Sequence, residues 1–155
     1  MIINILAIES SRPKWSKDAF DEYSSRFNNS IKVKWNGIKP VKRLSNSNIN
    51  QIKDKEGQAL LSQVKSGGLI ICLDQSGISW NNKDLKSEFQ KWQSYSGELY
   101  FLIGGPDGLS SECLKKSSKN WSLSFLTFPH AIVPVMLIEQ IYRSWSMTMN
   151  HPYHR

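Results

Sequence analysis

Three short segments carry the residue types from which a ligand site can be built: Asp74-Gln75-Ser76-Gly77, Gly104-Gly105-Pro106-Asp107-Gly108 and Pro129-His130. Each follows a run of large apolar residues that reads as a buried strand, and open α/β sheets take their ligands at the carboxyl ends of strands. Paired glycines there permit φ > 0 and let a ligand lie against bare main chain that any Cβ would obstruct. The same residue types also make ordinary turns. No Gly-Lys-Ser/Thr loop is present and no GxGxxG follows the first strand, so phosphate-cradling cofactors are disfavoured. A cofactor without phosphates, bound by strand-end backbone, stays open.

The histidines are His130, His151 and His154, and two of them fall in the tail Asn150-His151-Pro152-Tyr153-His154-Arg155. Stacking rings, imidazoles and a guanidinium suit an unpaired base and its phosphates; a frayed terminus is the competing reading. No Ser/His/Asp order, paired-carboxylate arrangement or metal-ligand spacing stands out, so hydrolysis by a triad or a bound metal is unsupported and no metal is expected. Glu139 and Arg143, four apart, read as an intrahelical ion pair. Cys72 and Cys113 show no CxxC spacing and no nearby histidine, as expected for reduced thiols in a cytoplasmic protein.

These segments have to be held by regular elements. Apolar runs alternate with helical patterns from end to end, which predicts an α/β fold with a mostly parallel sheet flanked by helices. Strands are expected at Ile2–Ile8, Ile31–Trp35, Leu69–Leu73, Leu99–Ile103 and Leu123–Phe128. Pro13 opens a helix to about Phe27, and Ile49, Ile52, Leu60, Leu61 and Val64 mark a second one. Asn81 or Asn82 can cap Leu85–Tyr95, and Ser110 a short helix to about Ser118. The last helix, about Ala131 to Met147, is apolar over more of its circumference than the stripe that packing on a sheet requires. A second apolar face needs a second partner, and the expected one is another copy; an enclosed core helix in a monomer is the alternative.

The chain has 155 residues, one domain at roughly 100–200 residues per domain. Lysine and arginine number 20 against 13 acidic residues, a formal net charge of +7. Between Arg12 and Arg43 nine basic residues face three acidic ones, a net +6. A polyanion such as nucleic acid is the favoured partner over an acidic lipid surface, because no amphipathic basic helix stands free at either end. A merely solvated basic face is the alternative. The longest apolar run, Ala131 to Ile138, falls short of the ~20 residues of a membrane span, and the first ten residues lack the basic region and cleavage site of a signal peptide.

Leu102-Ile-Gly-Gly-Pro-Asp-Gly-Leu-Ser110, Trp121-Ser-Leu-Ser-Phe-Leu-Thr-Phe-Pro-His130, Glu139-Gln-Ile-Tyr-Arg143 and Asn150-His-Pro-Tyr-His-Arg155, with Asp54-Lys-Glu-Gly57 upstream, closely resemble the bacterial large-subunit ribosomal RNA methyltransferase H family. That family is the pseudouridine N3-methyltransferase of the SPOUT superfamily, and the resemblance covers essentially the whole chain. It implies a single SPOUT-type domain over 1–155, α/β with a deep C-terminal trefoil knot, a topology no periodicity could suggest. It also implies a homodimer that binds S-adenosylmethionine in the knot and methylates N3 of a pseudouridine in large-subunit (23S) RNA on the assembled ribosome. By position the cofactor contacts would be Leu73, Gly104, Leu123, Ser124, Phe125, Leu126, Thr127 and Phe128.

Pseudouridine N3–H is a weak imide acid whose nitrogen must shed its proton around the time it attacks the methyl, so positioning supplies most of the acceleration and a neutral imidazole can take the proton. His154 is the first candidate and His130 the second, with Tyr153 stacking on or orienting the base. Arg143 and Arg155 would hold phosphate or the developing anionic base. In a dimer, one subunit's tail would complete the other's pocket. Where the family usually has an arginine after Pro-His, this chain has Pro134, so one cation is missing. That motivates the alternative of a ribosome- or RNA-binding protein with weakened or lost catalysis. A small-metabolite enzyme would leave the basic segment and the tail unexplained.

Overall fold

The computed structural model describes residues 1–154, His154 by its backbone alone. Ten elements alternate along the chain: β1 (Ile2–Ile8), α1 (Lys14–Ser25), β2 (Lys32–Ile38), α2 (Ile49–Ser62), β3 (Leu69–Ser79), α3 (Asn82–Gln93), β4 (Leu99–Ile103), α4 (Ser111–Lys116), β5 (Lys119–Ser122) and α5 (Val133–Thr148). A 3-10 turn, Pro152–His154, follows. Capping residues set three helix starts: Asn48 accepts from Gln51 N, Asn81 forms a capping box with Asp84, and Ser110 accepts from Cys113 N.

All five strands are parallel, in the order β2-β1-β4-β3-β5. Side chains alternate between two cores. On one face Ile3, Ile5, Ile71, Leu99 and Phe101 meet Phe20 of α1, Phe89 of α3 and Ile138 of α5. On the other, Leu6, Ile8, Ile70, Cys72 and Leu102 meet Leu60 of α2 and Cys113 of α4. β1 and β4 are therefore covered on both sides, which is why they read as apolar runs, interrupted at Asn4, whose amide is paired with Glu98 and Leu99 O. Connections stepping toward β2 run over the α1/α3 face and those stepping toward β5 over the α2/α4 face, so all four crossovers share one hand, as the βαβ rule requires.

Three expected strand boundaries are corrected, the first being β2, which runs Lys32–Ile38 rather than Ile31–Trp35. The fifth strand is Lys119–Ser122, not Leu123–Phe128; residues 123–128 leave the sheet as a loop. An edge strand needs few buried side chains, and Trp121 and Ser122 supply them. The expected turn at Asp74–Gly77 is instead part of β3, whose register with β5 jumps from Leu73↔Trp121 to Ile78↔Trp121, so four residues bulge against one partner position. At Gly77 an added Cβ would lie 2.6 Å from Asn120 main chain, so only glycine admits this approach.

α5 packs against both α1 and α3. Leu137, Ile138, Ile141, Tyr142 and Trp145 are buried within the single chain, while Ile132, Val133, Val135 and Met136 are half-buried. Much of the helix's apolar girth is thus satisfied internally. Both cysteines are free and buried; Cys72 Sγ donates to Cys113 O at 3.4 Å, and burial pushes the Cys72 thiol up to about 12.

Candidate functional site

A cleft of about 350 Å³ opens where β3, β4 and β5 end, within the range of small-molecule sites. β3 and β5 hand the chain to the α1/α3/α5 face and β4 hands it to the other. The connections therefore diverge here, which makes the crevice at which open α/β sheets place ligands. Its walls are Leu73–Gln75, the loop Gly104–Gly108 and the segment Trp121–Ser124, with Leu126, Thr127, Phe128, His130 and Val133 completing the lining. Trp121 is stacked on Trp80 with ring centroids 4.9 Å apart, so that wall is backed by a rigid aromatic pair.

The loop after β4 is built differently from the expectation of φ > 0 at its paired glycines. The left-handed residue is Gly108, at φ +83, and Gly108 N donates to Gly105 O at 3.0 Å to close a turn over Pro106-Asp107. Gly104 and Gly105 are needed for contact instead. A Cβ on Gly104 would sit 2.6 Å from the Gly108 carbonyl carbon; one on Gly105 would sit 2.9 Å from Glu56 Oε2 and 3.1 Å from Arg43 Nη2.

That last contact belongs to a network the sequence reading missed. Arg43 Nη1 donates to Glu56 Oε1 at 3.0 Å and its Nε to Asp107 Oδ2 at 2.8 Å, while Val41 N donates to Glu56 Oε1 at 2.9 Å. The Glu56 side chain is 2% exposed, and two carboxylates hold the guanidinium proton even more firmly than usual. The linker between β2 and α2 is thereby tied to the cleft wall. One signal was available: Glu56 stands between Ile52 and Leu60 on the buried stripe of α2, where an unpaired carboxylate would be prohibitive.

Among the described residues the cleft lining holds no lysine or arginine, and its ionisable side chains are Asp74, Asp107 and His130. Asp74 Oδ2 accepts from Ser76 N at 3.1 Å and from the Ser76 hydroxyl. The 123–128 loop is held by Ser122 Oγ donating to Ser124 O at 2.9 Å, Leu126 N donating to Ser124 Oγ at 3.0 Å, and Gln75 Nε2 donating to Thr127 Oγ1 at 2.8 Å. Main chain, apolar groups and the Asp74 carboxylate, which no salt bridge among the described residues neutralises, suit a ligand that carries positive charge and lacks phosphates.

Of the residues singled out from sequence, Leu73, Gly104, Leu123, Ser124, Leu126, Thr127 and Phe128 line this cleft together with His130. Phe125 does not; it is 92% exposed. Tyr153 and Arg143 belong to a different cluster. Tyr153 OH lies 3.1 Å from Tyr23 OH and 3.0 Å from Glu139 Oε1, its ring meets Tyr142 edge-on at 4.8 Å, and Arg143 sits 5.2 Å from its centroid while bridging Glu139. Burial, with both hydrogen bonds adding to it, pushes the Tyr153 hydroxyl above its ordinary range. The His154 imidazole and all of Arg155 lie outside the described residues. Pro134 is buried in the first turn of α5, where it packs and φ ≈ −65° is already helical.

Among the described residues no group of three or more His, Cys, Asp or Glu could hold a metal ion, and no helix is long and apolar enough to cross a membrane. Residues 1–154 match a family described as predicted SPOUT methyltransferase.

Proposed function

We propose, from the premise that the chain belongs to the SPOUT methyltransferase family, that it methylates N3 of a pseudouridine in large-subunit ribosomal RNA on the assembled ribosome, as a homodimer. The family is one of methyltransferases that use S-adenosylmethionine. What supports the cofactor assignment in this chain is the cleft itself, walled by glycine-rich main chain, apolar side chains and the Asp74 carboxylate, with no lysine or arginine among the described lining residues. The deep C-terminal knot belongs to the same reading and rests on family membership.

Bound in the cleft, S-adenosylmethionine supplies an electrophilic methyl group on a cationic sulfur. Asp74 makes the surroundings favourable to positive charge, while Asp107 is engaged by Arg43. Leu123, Leu126 and Phe128 offer apolar contact that excludes water, and the main chain of Gly104–Gly108 and Ser122–Ser124 offers hydrogen bonds to a heterocycle. His130, exposed in the lining, is available to take the N3 proton as the nitrogen attacks. In this reading His154 is the first candidate for that role, delivered with Tyr153 and Arg155 by the partner copy's tail, and Arg143 steadies the tail through Tyr153.

The dimer has support in the surface. Phe125, Leu126 and Trp15 are exposed, Ile132, Val135 and Met136 are half-buried, and Ser16 Oγ donates to Ala131 O at 2.5 Å, bringing the start of α1 beside this segment. An apolar surface of this kind suits a second copy.

The deciding experiment is transfer of labelled methyl from S-adenosylmethionine to ribosomes and to free ribosomal RNA, followed by nucleoside analysis. Label recovered as N3-methylpseudouridine is expected. Calorimetric titration separates the non-catalytic alternative: no binding of the cofactor or its homocysteine product at millimolar concentration rejects the enzyme.

A further inference from the structure

The structure divides the basic segment that the sequence presents as one block. Of its nine cations, five are engaged by carboxylates: Arg12 with Glu9, Lys14 with Asp18, Lys17 with Asp21, Arg26 with Glu22, and Arg43 with Glu56 and Asp107. Arg12 also lies 3.6 Å over the Trp35 ring. The remaining four, Lys32, Lys34, Lys39 and Lys42, are exposed and have no salt-bridge partner among the described residues. Nothing nearby in sequence can neutralise them, because residues 23–53 contain no aspartate or glutamate.

Placement matters as much as charge. Lys32 and Lys34 stand on one face of the edge strand β2, about 6.6–6.8 Å apart along it, a separation comparable to one nucleotide step. That face is open, since Lys32, Lys34 and Asn36 are exposed along it while α2 packs over β1. Lysines on an exposed edge also discourage strand pairing between molecules, but Lys39 and Lys42 lie beyond the strand, where there is no edge to guard. The chain then runs directly into Arg43, which is tied to Asp107 in the cleft wall. Arg43 itself has both carboxylates to satisfy and acts as the anchor of this strip.

Resting on the function proposed above, we infer that Lys32, Lys34, Lys39 and Lys42 form a phosphate-docking strip that holds RNA backbone along the β2 edge and leads it to the cleft. The strip contributes affinity and orientation without sequence readout. Its contribution weakens with salt because phosphate neutralisation releases counterions.

The test uses the full chain with all four lysines replaced by glutamine, beside a control that removes the same number of charges elsewhere (Lys83, Lys86, Lys115 and Lys119 to glutamine). Ribosome binding by sedimentation, KM and kcat for ribosomes, and cofactor affinity by calorimetry are measured against salt. The strip variant is expected to raise KM roughly tenfold or more and to lower the slope of log K against log salt by about 0.7–0.9 for each lysine that meets a phosphate. Its kcat and cofactor affinity should stay within about twofold, and lysine-to-arginine replacement should retain binding. Equal losses in the control would mean net charge alone is at work and would overturn the strip. So would unchanged KM and salt slope, or a loss of binding to vesicles of anionic phospholipid with ribosome binding intact. If the wild type neither binds nor methylates ribosomes, the functional reading fails and the strip falls with it; if the wild type is active and the variant equally so, the strip alone is wrong.

Discussion

Arg43 Nε donates to Asp107 Oδ2 at 2.8 Å, fastening the β2–α2 linker to the loop that walls the cleft. Truncating Arg43 would strand the buried Glu56 carboxylate. Arg43→Ala is expected to cost about 3 kcal/mol of stability in urea titration and to weaken cofactor binding, since Gly105 rests on the pair. Replacing both partners, as Arg43→Met with Glu56→Leu, should recover most of the stability but not the cofactor affinity.

A second prediction concerns the tail. Tyr153→Phe removes the hydroxyl shared with Tyr23 and Glu139 and should cost about 1 kcal/mol, visible as faster amide hydrogen exchange at residues 150, 151 and 153. Deleting Tyr153 to Arg155 should abolish methyl transfer while cofactor affinity stays within a few-fold. Unchanged turnover after the deletion would remove His154 from the proposed chemistry.

Acid stability has a local origin at Glu98. Lys65 Nζ at 2.6 Å, Asn4 Nδ2 at 2.9 Å and Tyr100 OH at 3.0 Å hold its carboxyl down at about 2. A carboxylate whose pKa is lower folded than unfolded contributes stability above the usual carboxylate range, about pH 4, and loses it as the pH falls through the folded value. Glu98→Gln should therefore flatten the pH dependence of the urea midpoint between about pH 4 and about pH 2, with no change of slope near neutrality.

The thiols offer a check on packing. Burial raises both Cys72 and Cys113, and reactivity requires an accessible thiolate. Iodoacetamide should leave the native chain unlabelled and modify both positions after denaturation, as read by mass spectrometry. Labelling of the native protein at the rate of a free thiol would contradict the second core.

For the dimer, sedimentation equilibrium should give a particle of twice the 17.8 kDa chain mass. Met136→Glu, placing charge on the half-buried side of α5, should shift it toward the monomer with little change in unfolding midpoint.

What was legible in the sequence follows from which residues are covered on both sides. β4 and β1 are apolar at their buried positions apart from Asn4, whose amide is paired with Glu98 and Leu99 O, and both are readable to the residue. β5 was misplaced because Leu123, Phe125, Leu126 and Phe128 have strand-like letters but serve the cleft and the surface, while the strand itself is Lys-Asn-Trp-Ser. The bulge at 74–77 looked like a turn because both use Gly, Ser and Asp. The apolar girth of α5 is met on one side by α1 and α3, while Val135 and Met136 stay half-buried on the rest. Most of the cleft lining was readable as strand-end residues. The Arg43–Glu56–Asp107 network was not, because its members lie 13 and 64 residues apart and share no periodicity.

The strand order also dictates when this protein can come into being. Ile3 is in register with Leu99, so at translation rates of about 5–20 residues per second the central strand β1 waits roughly 5–20 s for its second neighbour. Until then its hydrogen-bonding row on that side has nothing native to meet, and an amino-terminal fragment has only the β1–β2 pair. Nascent chains interrupted before β4 emerge should consequently be clients of chaperones and proteases, and assembly should set in late and nearly all at once.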